Sequence, residues 1–420
     1  MSRYFFILGR HQALSLAEIN LYFVRENIVY NPLYLGPDFL LWETENKVDL
    51  TLLNERLGGV VKAGEIWAER PKRPNLLADI KEALNDQAVR QFLPSAPDKY
   101  FLGFSLYPSD RQNFSFWKKD LEKHFLTLKK GFKEKGQKFR FVTSREPTLS
   151  SVVVSKNKLL TAGAEITIFI TEEKIYIGKT VTVQNFASYS FRDYGRPGRD
   201  MDVGLMPPKL ARILVNLAQV KESAVILDPF VGCGTVLAEA LLMGYKNLIG
   251  SDINLNALNQ ARRNLDWLCQ NYKIDPLKIQ VKLFSFDVRD LGKNFEPYSV
   301  DAVATEPYLG PPLSVRLSEG KIKMITANIG QLYLDFFSGL KKVLKPGGRL
   351  VMIWPVFRGP TGLYSLPILE KVLEKGWQKI DVIPAGFKNY KFKELTPRGS
   401  ILYSREDQRV LREIFVFKNL

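Results

Sequence analysis

The 420 residues include 60 Lys and Arg against 44 Asp and Glu, a formal net charge of +16, with 45% hydrophobic and 25% charged residues. At about 150 residues per domain this length predicts two or three domains with ample chain for a core. The longest uncharged stretch is twelve residues, Thr180–Phe191, well short of the roughly 20 apolar residues that span a membrane. Two cysteines, Cys233 and Cys269, exclude a disulfide framework and suit a reducing compartment. With only His11 and His124 besides, zinc binding and histidine-based catalysis are not expected. The opening Met1–Gly9 reads as a strand and is too short for a signal peptide. The expectation is a cytoplasmic protein with no membrane segment and no metal.

The charge is unevenly distributed. Residues 1–100 carry 12 basic and 13 acidic side chains, and residues 201–300 carry 11 and 10. Residues 101–200 carry 18 and 10, and residues 301–420 carry 19 and 11. Two basic blocks therefore frame a neutral one, which points to a polyanion such as nucleic acid.

In chain order, the opening strand leads to Ser15-Leu16-Ala17-Glu18, which has the form of a capping box, and to a helix through about Glu26. A helix at 47–57 and a strand at 60–67 complete a small α/β module over residues 1–70. Pro71-Lys72-Arg73-Pro74 punctuates it. Residues 71–185 read as a second unit with strands at 100–107 and 139–143, a helix at 117–130, and a hairpin of 164–171 with 174–183. Its run from Lys118 to Arg140 holds nine basic and three acidic residues, among them Lys129, Lys130 and Lys133. These three are candidate contacts to a nucleic-acid backbone. Residues 186–208 read as a linker containing Arg192, Arg196 and Arg199, of which Arg192 and Arg196 are further candidate contacts.

From residue 209 onward strands alternate with helices, the pattern of a parallel sheet covered on both faces. Strands are expected at 224–228, 247–252, 279–284, 299–305, 349–354, 378–383 and 410–417. Helices are expected at 235–243, 255–267, 330–344 and 366–375.

The first of these strands runs into Asp228-Pro229-Phe230-Val231-Gly232-Cys233-Gly234-Thr235. The glycines allow close approach of a ligand to the backbone at the carboxyl end of a strand, where such sheets bind ligands. Leu237 breaks the dinucleotide fingerprint, and no Gly-Lys-Ser/Thr is present. An aspartate at the turn repels pyrophosphate but suits a cation, which favours S-adenosylmethionine with its ammonium and sulfonium. Asp252, followed by Ile253, ends the second strand and can accept from ribose hydroxyls. Asp287, followed by Val288, succeeds the third strand and can accept from the adenine amine. The competing role for each aspartate is a helix N-cap. Cys233, inside the turn, is expected as a small packed residue rather than a nucleophile.

The fourth strand ends in Thr305-Glu306-Pro307-Tyr308. An acid, a proline and an aromatic in this place resemble the Asp-Pro-Pro-Tyr loop of methyltransferases that act on exocyclic amines. Such an amine is a weak nucleophile, because its lone pair is delocalised into the ring. A carboxylate and a backbone carbonyl can accept its hydrogens, the proline fixes the carbonyl direction, and the aromatic ring stacks on an extruded base. Two registers are open: Glu306 as the acceptor with Tyr308 stacking, or Thr305 in the acidic position. The first is preferred.

Over most of its length the chain resembles the THUMP-domain tRNA guanine-N2 methyltransferases. The resemblance rests on Tyr4–Arg10 with Leu14–Ile19, on Arg192-Asp193-Tyr194-Gly195-Arg196-Pro197, and on Met206–Ala211. It also includes Asp228–Thr235 and Leu402-Tyr403-Ser404-Arg405. It implies a Rossmann-like class I methyltransferase domain over 209–420 with an N-terminal α+β THUMP-like RNA-binding region. It also implies S-adenosylmethionine as donor, tRNA as partner and the N2 amine of guanosine 10 as target. Some members act alone and others with a small activating protein subunit, and both remain open. The rival readings are an amino methyltransferase of ribosomal RNA or DNA, acting on adenine N6 or cytosine N4, and an inactive tRNA-binding relative.

Overall fold

The computed structural model of the chain describes residues 1–95, 97–110, 112–146, 148–198, 205–312, 317–406 and 408–420. Arg199 and part of the expected linker lie outside the described residues. Two units are present. One comprises Met1–Arg10, Asn27–Arg56 and Val60–Phe186, and the other His11–Glu26, Leu57–Gly59 and Ala187–Leu420.

The first unit is built on a single sheet of eight strands. They are β1 (Ser2–Leu8), β2 (Tyr30–Leu35), β3 (Phe39–Thr44), β4 (Val60–Pro71), β5 (Tyr100–Pro108), β6 (Phe139–Val142), β7 (Gly163–Ile170) and β8 (Lys174–Val183). Their order is β2-β3-β1-β4-β8-β7-β5-β6. Only β5 pairs in parallel, with β6 and β7. The expected break at residue 71 is the end of β4, which pairs with β8 along Lys62–Pro71. Residues 1–70 and 71–185 thus contribute to one sheet rather than forming separate modules. The helix Phe114–Glu134 buries Leu121, Phe125, Leu128 and Phe132, and Phe125 stacks on Phe104 of β5 at 4.7 Å. That three-and-four spacing leaves Lys123, Lys130 and Lys133 exposed. Beneath the sheet Lys62 is paired with Glu165 at 2.5 Å. Glu165 also accepts from the Ser105 and Thr180 hydroxyls at 2.6 Å each, so the buried charges are compensated.

The second unit holds nine strands. They are β9 (Val225–Asp228), β10 (Asn247–Asp252), β11 (Gln280–Ser285), β12 (Val300–Thr305), β13 (Leu344–Gly359), β14 (Gly362–Ser365), β15 (Trp377–Lys379), β16 (Ile401–Tyr403) and β17 (Val410–Asn419). The main order is β11-β10-β9-β12-β13-β17-β15. The first five are parallel, and β17 runs antiparallel to both β13 and β15. Chain order reverses between β9 and β12, which opens a crevice beyond the carboxyl ends of these strands. On one face Phe336, Phe337 and Leu340 of the helix Glu319–Val343 pack on Trp354, Phe415 and Phe417. This helix begins eleven residues before the expected 330, because Ile322, Ile325 and Ile329 continue its buried stripe. Among the described residues no helix is long and apolar enough to cross a membrane.

Two local expectations are corrected. Ser15 and Glu18 do not cap a helix: they lie within the helix Gln12–Arg25. There Ser15 donates to the Gly59 carbonyl at 2.8 Å. Glu18 accepts from the Gly58 and Gly59 amides and from Asn216. The expected linker contains the helix Phe186–Tyr194, which buries Tyr189 and Arg192.

Candidate active site

Asp228 closes β9 at the floor of the crevice and is fully buried. One carboxylate oxygen accepts from the Thr305 hydroxyl at 2.7 Å and from the Phe230 amide at 3.3 Å. Burial pushes this carboxyl up to about 7, against the lowering effect of those two donors and with help from the nearby charges of Asp252 and Glu306. The turn that follows needs left-handed backbone at Gly232 (φ +50°) and Gly234 (φ +82°). A Cβ on Gly234 would stand 3.2 Å from the Ala261 side chain. Asp252 ties the next strand to this turn by accepting from the Gly232 amide at 3.0 Å, while its other oxygen accepts from the Asn254 amide. It is not the cap of the following helix, a role taken by Asn254. Ile253 is 68% exposed beside it, an apolar surface for a ring.

Asp287 does act as an N-cap, accepting from the Arg289 amide, and it is ion-paired with the Arg289 side chain at 2.5 Å. Hydrogen bonds from Arg289 hold its carboxyl below the usual range. Val288 is buried in the core. Pro229 accepts a long hydrogen bond from Ser251, and Phe230 packs edge-on against Phe336 at 5.5 Å. Cys233 lies 3.5 Å from the Thr235 hydroxyl, in keeping with a packing role.

In the loop after β12 the side chains separate by role. Thr305 is buried and its hydroxyl donates to Asp228 at 2.7 Å. Glu306 reaches the edge of the crevice and pairs with Arg412 of β17 through Nε and Nη2. Tyr308 is 51% exposed, and its carbonyl accepts from buried Tyr333 at 3.0 Å. Pro307 joins the two in a segment that ends at Gly310, φ +106°. Of the two acceptors read in the sequence, Thr305 is bonded to Asp228 and Glu306 to Arg412. Arg412 and Tyr333 were not anticipated. Arg412 had a signal, as a charge inside the apolar run Val410–Phe417.

The expected nucleic-acid contacts divide sharply. Lys129, Lys130 and Lys133 lie on the polar face of the helix Phe114–Glu134, with Lys130 and Lys133 exposed. Arg192 and Arg196 are each only 6% exposed, which contradicts a backbone-binding role. Arg192 pairs with buried Glu239 at 2.5 Å, and Arg212 pairs with the other oxygen of the same carboxylate at 2.8 Å. Arg196 donates to the Thr235 hydroxyl at 2.6 Å, and this bond takes up the side chain of a residue expected at the cofactor. Both arginines brace the helix that starts at Thr235.

The residues fit a cationic donor. Asp228, Asp252 and Glu306 gather three carboxylates round the glycine turn, and the one at its centre has a raised pKa. Asp228 and the turn amides would hold the amino-acid end of S-adenosylmethionine, and Asp252 with Ile253 its nucleoside end. Among the described residues no group of side chains could hold a metal ion.

A cation binds the ionised form of Asp228, while the free protein carries a proton there below about pH 7. Donor affinity is therefore expected to rise by up to about tenfold per pH unit towards pH 7 and then level off. Calorimetric titration of donor across this range checks the slope, and Asp228→Asn should flatten it. The same raised pKa makes the free protein lose stability as pH climbs from the ordinary 3.8 towards about 7. For the buried triad, Arg192→Met should lower unfolding stability by about 3 kcal/mol in urea titration. It should leave the salt dependence of nucleic-acid binding unchanged, and a reduced slope would make Arg192 a backbone contact.

Residues 198–376 match the family model described as RMKL-like, methyltransferase domain. A tRNA (guanine(10)-N2)-dimethyltransferase of Methanothermobacter thermautotrophicus is 35% identical over 36% of this chain and 39% of its own length. The chain thus spans well under half of that relative. A probable tRNA (guanine(10)-N2)-dimethyltransferase of Methanothermococcus thermolithotrophicus is 36% identical over 32% of this chain and 81% of its own length. The crystal structure of TrmN from Thermus thermophilus covers all of both chains with a TM-score of 0.58 at 14% identity, a likeness of fold. With the crevice, its acidic turn and the Glu306-Pro307-Tyr308 loop, these matches identify the chain as a member of the tRNA guanine-N2 methyltransferase family.

Proposed function

We propose that the protein methylates the exocyclic N2 amine of a guanosine in tRNA, at position 10, with S-adenosylmethionine as donor and in the cytoplasm. When bound, the donor supplies an electrophilic methyl group on a sulfonium. The Glu306 carboxylate, held by Arg412, and half-exposed Tyr308 two residues on in the same loop carry the reading. Guanine offers two adjacent donors on its Watson–Crick edge, N1–H and N2–H, which a carboxylate can accept together. Adenine and cytosine set an amino donor beside a ring acceptor, which a carboxylate repels. Tyr308 stacks on the extruded base, and Glu306 accepts the amine hydrogens and takes the proton that leaves N2. Positioning and preformed electrostatics supply most of the acceleration in such a site.

The eight-stranded unit serves as the THUMP-like docking region of this reading. Its lysine-bearing helix face holds the tRNA backbone, a contact that gives affinity with little sequence choice.

Incubating the chain with labelled donor and unmodified tRNA, then separating nucleosides, should place the label on N2-methylated guanosine. Label on adenosine or cytidine, or none, contradicts the assignment. Glu306→Ala should slow transfer by about a hundred- to a thousandfold while tRNA affinity stays within about threefold. Loss of both together would make Glu306 a folding residue. Replacing Lys129, Lys130 and Lys133 with alanine should weaken tRNA binding and reduce the salt slope by up to about 3. An unchanged slope would mean that this face is only solvated.

A further inference from the structure

Within the apolar run Val410–Phe417 the only charged residues are Arg412 and Glu413. Successive side chains of a strand point to opposite faces, and these two find different partners. Glu413 takes Arg398 and the Ser400 hydroxyl. Arg412 reaches the loop after β12 and grips Glu306 through Nε and, at 3.3 Å, through Nη2. Strand β13 lies between β12 and β17, so the pair bridges over an intervening strand. Two strand spacings amount to roughly 10 Å, a span that favours a long carboxylate on one side and a long cation on the other. Glutamate reaches one methylene farther than the aspartate of the loop that Thr305–Tyr308 resembles. Both side chains are nearly buried, with relative exposures of 10% and 13%.

We infer that Arg412 is a positioning residue for methyl transfer, whose two-point grip from β17 fixes the Glu306 carboxylate in the orientation that accepts the hydrogens of the target amine. The inference rests on the proposed role of Glu306. An unpaired glutamate samples several staggered rotamers. A fork of two N–H donors removes that freedom in a way that a point charge does not. Arg412 also brings a positive charge beside Glu306, whose own charge acts on Asp228 together with that of Asp252. It acts on the base only through Glu306.

The test compares the wild-type chain with Arg412→Ala and Arg412→Lys for kcat, KM for tRNA, affinity for S-adenosylhomocysteine and thermal unfolding. Arg412→Ala should lose about a hundredfold in kcat, with KM and S-adenosylhomocysteine affinity within about threefold of wild type. Millimolar guanidinium chloride should restore at least about tenfold of the lost rate by refilling the fork, whereas urea and sodium chloride should not. Arg412→Lys should fall between the two. A kcat for Arg412→Ala within threefold of an active wild type overturns the inference alone. So does parallel loss of kcat and both affinities without a response to guanidinium, which would mark a folding role. A wild type that methylates no guanosine in tRNA overturns the proposed function and this role with it.

Discussion

A carboxylate buried at the end of β9 is costly unless something nearby compensates it. Among the described residues Asp228 has only the Thr305 hydroxyl and the Phe230 amide as donors, and Asp252 and Glu306 add negative charge. The surrounding architecture follows from that arrangement. Thr305 of the neighbouring strand is tied to Asp228 through its hydroxyl. Asp252 steadies the glycine turn through the Gly232 amide. The ammonium and sulfonium of S-adenosylmethionine would bring positive charge to Asp228 and Asp252.

Around this acidic centre the frame is held by arginines that reach it from distant parts of the chain. Arg192 and Arg212 converge on Glu239 in the helix behind the glycine turn. Arg196 fastens the first residue of that helix, and Arg412 holds Glu306. Each guanidinium is little exposed, so none contributes to the surface field that the +16 total suggests. The field comes instead from exposed lysines such as those on the helix Phe114–Glu134. Arg192 and Arg196, which read as surface charges in the sequence, belong to the interior.

The parts of the fold that could be read in the sequence are those fixed by local pattern. Val225–Asp228 and Asn247–Asp252 are short apolar runs that end in an acid, and both are strands within a residue of expectation. The turn needs glycines where the backbone is left-handed, which sequence displays directly. The errors fall where long-range pairing decides. Ser15 and Glu18 have the spacing of a capping box, yet their partners are Gly58 and Gly59, some forty residues away. Arg192 reads as a surface charge until Glu239, 47 residues later, becomes its neighbour. The two-proline loop has no direct counterpart in Thr305-Glu306-Pro307-Tyr308, and the burial of Thr305 and the Arg412 partner of Glu306 are set by strands far apart in sequence.

The ionisation of Asp228 bears most directly on the central claim, that a buried acid awaits a cationic donor. Carbon-13 NMR of the aspartate carboxyls, assigned with Asp228→Asn, can follow it in the free chain and with S-adenosylmethionine. A carboxyl that titrates near 7 in the free protein, and is fully ionised at that pH once donor is added, is the predicted result. A carboxyl already ionised at about pH 5 in the free chain, or one whose titration ignores the donor, would contradict the account.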